Sequence, residues 1–158
     1  MFGLFGNATI SDPGLGELRF AKGRWRGLVQ LEGTSLPLAI SGSRKAPDDR
    51  ALLAAQNFSS AFAALRPQIE AALFEHYLPY ADVVASGDLP PSAEDIVELE
   101  APGDVWRHAA YQFVSIEPMA GALVTELGIT VAWDEEHILG ARFGQNTFIE
   151  LCGSTVPE

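Results

Sequence analysis

The 158-residue chain contains one cysteine, Cys152. No internal disulfide can form, and no cysteine-based zinc site can be assembled within one chain. A reducing compartment suits such a composition. Histidine is nearly as scarce, with His76, His108 and His137 on segments far apart in sequence. No apolar run approaches the roughly 18 residues of a membrane span, so no membrane association is expected. Phe2, Leu4 and Phe5 are broken by glycines, without the basic and apolar regions of a signal peptide. These absences predict a cytoplasmic protein.

Positive charge is also in short supply. Ten Lys and Arg stand against 21 Asp and Glu, a net charge of −11. Residues 1–50 hold seven basic and five acidic residues, a balance of +2, and residues 51–158 hold three and sixteen, a balance of −13. An acidic majority argues against non-specific nucleic-acid binding, which requires phosphate neutralisation. It serves solubility, or forms an acidic face that steers a basic protein partner. The 47% hydrophobic and 20% charged content is that of an ordinary globular protein. One domain over residues 1–158 is expected, large enough to bury a core.

The first third reads as an antiparallel meander. Asp12-Pro13-Gly14, Lys22-Gly23 and Glu32-Gly33 are turn sequences. Between and after them Leu18 and Phe20, then Trp25, Val29 and Leu31, then Leu36, Leu38 and Ile40 follow the period of half-buried strands. Pro37 cannot donate to a ladder, so its strand should lie at an edge or leave that position unpaired. Pro47-Asp48-Asp49 suits a helix start. Ala55, Phe58, Phe62, Leu65, Ile69, Leu73, Tyr77 and Tyr80 then recur every three or four residues without losing phase at Pro67. That predicts one kinked helix, or two meeting at Arg66-Pro67, ended by Pro79.

Pro90-Pro91 marks a loop, and Ser92-Ala93-Glu94-Asp95 resembles the capped start of a short helix. Val105-Trp106 reads as a short strand. Tyr111–Glu117, Ala122–Trp133, Ile138–Phe143 and Thr147–Cys152 read as extended, separated by Pro118, the Asp134–His137 cluster and Gly144-Gln145-Asn146. In the second of these, bulky Leu127, Ile129, Val131 and Trp133 alternate with small Gly128, Thr130 and Ala132.

This order of elements, and Trp133-Asp134-Glu135-Glu136-His137-x-Leu139-Gly140 near its end, resemble a family of bacterial domains of unknown function. Its members combine a β meander, a long helical stretch with paired aromatics near its end (here His76-Tyr77) and a C-terminal antiparallel sheet. Ile138 stands where that family carries glycine or another small residue. The resemblance implies a fold and no activity.

Asp134, Glu135, Glu136 and His137 are the candidate catalytic residues. As a hairpin connection, Asp134 would close an Asx-turn and His137 would pack on Trp133. As a site, His137 would act as general base or metal ligand beside the carboxylates. The spacing lacks the paired imidazoles of a helical His-Glu-x-x-His motif, so neither a tightly bound metal nor a cofactor is expected. Arg24 and Arg26 share one strand face, with Arg19 and Lys22 across the turn. They form a solvated face or an anion patch, and with Trp133 they are the candidate binding residues. Gly14-Leu15-Gly16 lacks the context of a dinucleotide loop, Ser41-Gly42-Ser43 that of a nucleophile elbow, and Cys152 has no basic neighbour in sequence.

The expected fold is α+β: an antiparallel sheet built from N-terminal and C-terminal strands, with the long kinked helix or two helices packed on one face. The leading functional expectation is a non-enzymatic protein-binding or accessory domain, immunity-like in size and charge. The alternative is a small hydrolase-like or metal-dependent enzyme built on Asp134–His137.

Overall fold

Tight two-residue turns set the strand order. The computed structural model describes residues 8–88, 96–144 and 146–154. Lys22-Gly23, Glu32-Gly33 and Ala120-Gly121 each place both central residues at positive φ (54° and 78°, 50° and 81°, 51° and 84°). That is the type I′ geometry whose twist matches the flanking strands. These turns join β2 (Gly16–Ala21) to β3 (Arg24–Leu31), β3 to β4 (Thr34–Ile40), and β7 (Ala109–Met119) to β8 (Ala122–Val131). The third turn was not expected: Pro118 lies inside β7 rather than separating strands.

β1 (Thr9–Asp12) precedes β2 across a turn that Asp12 closes, its Oδ2 accepting the Gly14 and Leu15 amides at 2.9 Å. β9 (Asp134–Gly144) and β10 (Thr147–Gly153) complete an eight-stranded sheet of order β1-β2-β3-β4-β7-β8-β9-β10. Every pairing is antiparallel except β4–β7. Pro37 lies in an interior strand, one residue before the β7 ladder begins at Leu38, where its missing N–H leaves that ladder intact. Between β4 and β7 come the two-residue strands β5 (Gly42–Ser43) and β6 (Ala46–Pro47) and then the helices.

Asp48 caps α1 (Asp49–Gln56), its Oδ1 accepting the Arg50 amide at 3.0 Å. The chain breaks at Asn57 and continues as α2 (Phe58–Ser86), straight through both Pro67 and Pro79 to a left-handed Gly87. The expected stop at Pro79 does not occur. Both prolines are exposed, as are Ala63 and Glu75 four residues before them. Water can therefore satisfy the carbonyls that lose a donor. Phe58, Phe62, Leu65, Ile69, Leu73 and Tyr77 are buried along one stripe.

That stripe covers one face of the sheet. Trp25, Val29, Leu31, Leu36, Leu38, Ile40, Val114, Ile116, Leu127, Ile129, Val131, Leu139, Ala141 and Phe143 meet it as one core. Burial of each large apolar side chain contributes about 1.5–3 kcal/mol. The α+β expectation thus holds, with one long helix on a mostly antiparallel sheet.

Val105-Trp106 is not a strand but part of a 3₁₀ helix, η1 (Pro102–His108). Asp104 Oδ2 accepts the Glu100 and Ala101 amides at 3.0 Å, curling the segment tightly. Val105 points into the core, and the Trp106 indole donates to Glu70 Oε1 at 2.8 Å. The Pro90-Pro91 loop and the Ser92–Asp95 start lie outside the described residues, as do Phe2, Leu4 and Phe5. Among the described residues no helix is long and apolar enough to cross a membrane.

Candidate functional site

The Asp134–His137 cluster sits at a corner of the molecule. The hairpin it was expected to form is made by Ala132 and Trp133 instead, with Val131 opposite Asp134. Ile129 next pairs with Leu139, so Glu135 to Ile138 face a single β8 residue, Thr130. The cluster is a bulged start to β9, and a bulge of this kind re-aims side chains.

Trp133 is 7% exposed. It packs edge-on against Tyr77 at 5.5 Å, and its indole donates to His76 Nδ1 at 2.9 Å. That bond leaves the His76 proton on Nε2, 3.8 Å from Asp134 Oδ2. His137 Nδ1 lies 2.9 Å from Asp134 Oδ1. One carboxylate therefore stands between two imidazoles whose sequence positions gave no sign of convergence. His108 does not join them.

The hydrogen bond His137 makes to Asp134, with the charge of Asp134 and that of Glu136, holds the His137 pKa above the ordinary histidine value. Its side chain is 64% exposed, and Glu135 and Glu136 are exposed as well. Such an imidazole could accept a proton through Nε2, but it stands open to solvent. Among the described residues no group of three or more His, Cys, Asp or Glu is arranged to hold a metal ion.

The other face of the sheet, away from the helices, contains a groove of about 590 Å³. Its walls are Lys22, Arg24 and Arg26 on the β2–β3 hairpin, Pro37 and Ala39 on β4, Gln112, Phe113, Ser115 and Glu117 on β7, and Ile138 on β9. Period-two alternation puts these residues opposite the core-facing ones. A bulge at Gln112 breaks the β7–β8 register between Tyr111 and Phe113. As a result Tyr111 meets Phe62 in the core at 5.7 Å while Gln112 and Phe113 face the groove.

Gly128 lies opposite Phe113, and a Cβ there would come within 2.3 Å of the Phe113 ring. The bare backbone is what lets that ring lie flat as the groove floor. Arg24 is fixed by donation to Ser115 Oγ at 2.7 Å and by an ion pair with Glu117. Burial holds its guanidinium below the ordinary arginine range, and the neighbouring charge of Arg26 adds to the effect. Arg26 donates through Nε to Ala21 O at 2.9 Å. Among the described residues no carboxylate pairs with Arg26 or Lys22.

Beside the groove, Glu126 is 3% exposed. It accepts from Arg142 Nε at 2.7 Å and from Ser154 Oγ at 2.9 Å. Gly140 makes room for it, since a Cβ would approach Glu126 Oε1 to 2.6 Å. Arg142 also brings a cation near Cys152 that sequence order does not show. Burial nevertheless pushes the thiol pKa up, against the pull of Arg142.

Of the residues singled out from sequence, Arg24 and Arg26 share the groove, whereas Trp133 is enclosed against α2 beside Asp134 and outside the groove lining. Phe113, Gln112, Ser115 and Glu117 were not anticipated. The one visible sign of them was the small-residue face of β8, which marks a strand surface left clear of bulk.

The family model for a domain of unknown function, DUF6985, matches residues 14–155. No curated protein and no solved structure matches the chain.

Proposed function

The chain belongs to DUF6985, a family defined without an activity, and we propose that it is a non-enzymatic binding domain that meets a protein partner through the uncovered face of its sheet. The observation that carries this reading is the groove. A concavity of about 590 Å³ lies within the usual size of ligand sites, and its one hydroxyl and one carboxylate, Ser115 and Glu117, are both engaged by Arg24 rather than paired as nucleophile and base. The corner at Asp134 supports the rival enzymatic reading only in part: His137 is oriented by a carboxylate, but its side chain is 64% exposed rather than enclosed as a catalytic base would be. The acidic corner at Glu135 and Glu136, both exposed at the start of β9, is the alternative surface, suited to a basic partner of the immunity type.

Photo-crosslinking in the native host separates these surfaces. A benzophenone side chain placed at Gln112 should trap a protein, and one placed at Glu136 should not. Adducts from Glu136 alone would transfer the binding role to the acidic corner. A small-molecule turnover abolished by His137→Ala would overturn the non-enzymatic reading itself.

A further inference from the structure

The sign of the groove is opposite to that of the chain. With 21 carboxylates against ten Lys and Arg, most cations could find an ion-pair partner. Among the described residues Lys22, Arg26, Arg44, Lys45 and Arg50 have none, and of these Lys22 and Arg26 line the groove. Arg24, two residues from Arg26 on the same strand face, is already satisfied by Ser115 and Glu117. The bond from Arg26 Nε to Ala21 O anchors the guanidinium but leaves its two terminal nitrogens without a carboxylate. Next to these cations lies an apolar floor of Pro37, Ala39, Phe113 and Ile138.

We propose that this groove receives an acidic, extended segment of the protein partner, with one carboxylate on Arg26 and Lys22 and an adjacent apolar side chain on the Pro37–Phe113–Ile138 floor. The proposal rests on the binding-domain reading above and supplies the chemistry of the partner. Arginine is suited to this role because its planar fork matches a carboxylate with two parallel bonds. The ion pair between Arg24 and Glu117 shows a carboxylate already held by a guanidinium at the same wall. An incoming acid also offsets the repulsion between the Arg24 and Arg26 charges.

A nucleic acid fits poorly. Glu117 lines the groove, and Glu126 and Glu150 lie on the same face, so a polyanion would meet like charge on leaving the cationic end. A single carboxylate with an apolar neighbour satisfies both halves of the surface. The groove, of about 590 Å³, holds a few residues at a time, which suits a short segment.

The experiment is a ¹H–¹⁵N NMR titration of the full chain with a short capped peptide alternating leucine and glutamate. Its glutamine and lysine counterparts and inorganic phosphate serve as the other probes. The glutamate peptide should give saturable shifts at Arg26, Ala39, Gln112 and Ser115, and the glutamine peptide should bind about tenfold or more weakly. Arg26→Gln should weaken the glutamate peptide to the same degree, and Lys22→Asn, at an exposed turn that tolerates asparagine, should weaken it in the same direction. A dispersed spectrum for each variant excludes loss of fold. Equal shifts from phosphate would make this a simple anion site and overturn the peptide assignment, as would the absence of saturable shifts from the glutamate peptide. Shifts at Asp134–His137 from the lysine peptide, with the groove silent, would overturn the acidic-segment chemistry while leaving the binding-domain reading standing. Crosslinking from Gln112 decides that reading separately.

Discussion

Replacing Phe62 by alanine removes a ring that touches three others. It is 1% exposed and lies 6.4 Å from Phe58, 6.0 Å from Trp106 and 5.7 Å from Tyr111, edge-on to the last two. Truncation loses the transfer energy of the ring and leaves a cavity that η1 and β7 are too constrained to fill, a cost of about 3–5 kcal/mol. Against a total stability of about 5–15 kcal/mol for such a domain, the variant should be close to unfolding in water. Pro67→Ala on the same helix is the control. It restores an N–H that can reach Ala63 O, worth about 0.5–1.5 kcal/mol, and relieves crowding in the preceding turn. It also frees the unfolded chain, which subtracts about 0.4–1 kcal/mol. The net effect should be small or stabilising. Urea melts of both variants provide the comparison. If Pro67→Ala proves the more damaging, the bend at Pro67 is needed for α2 to follow the sheet, and the argument from an unbroken apolar stripe is wrong.

Gly128→Ala should cost about 1–3 kcal/mol, because Phe113 must lift off the β8 backbone; the raised ring should also occlude the groove, visible as shifted Phe113 and Ile138 resonances. The His137 imidazole should titrate above the ordinary histidine value of about 6.5 and fall back in Asp134→Asn, as followed by NMR of its ring protons. Because the folded state holds this proton to higher pH, the contact contributes stability that is fully present below the unfolded pKa and lost as pH rises through the folded one. Asp12 works in the opposite sense. Burial alone would raise its carboxyl, but bonds from Gln56, Leu15 and Gly14 outweigh it and lower the pKa. Its contribution is present above the unfolded aspartate value and disappears as pH falls through the folded one. Asp12→Ala should cost about 1–3 kcal/mol at neutral pH and little in strong acid, measured by urea melts at both pH values.

The strands and the helix stripe were legible because each obeys one period. Leu127, Ile129 and Val131 face the helices and Gly128 and Thr130 the open side, as their alternation requires. Phe58 to Tyr77 keep phase through Pro67 because that ring lies on the solvent side. The same regularity hid the real break at Asn57, since Ala55 and Phe58 are both buried and continue the stripe across it. Pro79 was misread for a related reason: a proline stops a helix only where its lost bond cannot be hydrated.

The candidate corner was harder to read. Ala132-Trp133 contains no turn-forming residue, so the polar cluster beside it looked like the connection. His76 reaches Asp134 only because buried Tyr77 fixes the register of α2 against Trp133. Net charge was the least informative quantity, because a chain of −11 lines its groove with three cations and one carboxylate.

The most direct measurement compares two charge reversals for retention of the protein trapped from Gln112. Arg26→Glu should abolish its binding, while Glu136→Lys should leave binding unchanged, with both variants shown to be folded by their melts. Binding that survives Arg26→Glu and is lost in Glu136→Lys would contradict the account and place recognition at the acidic corner.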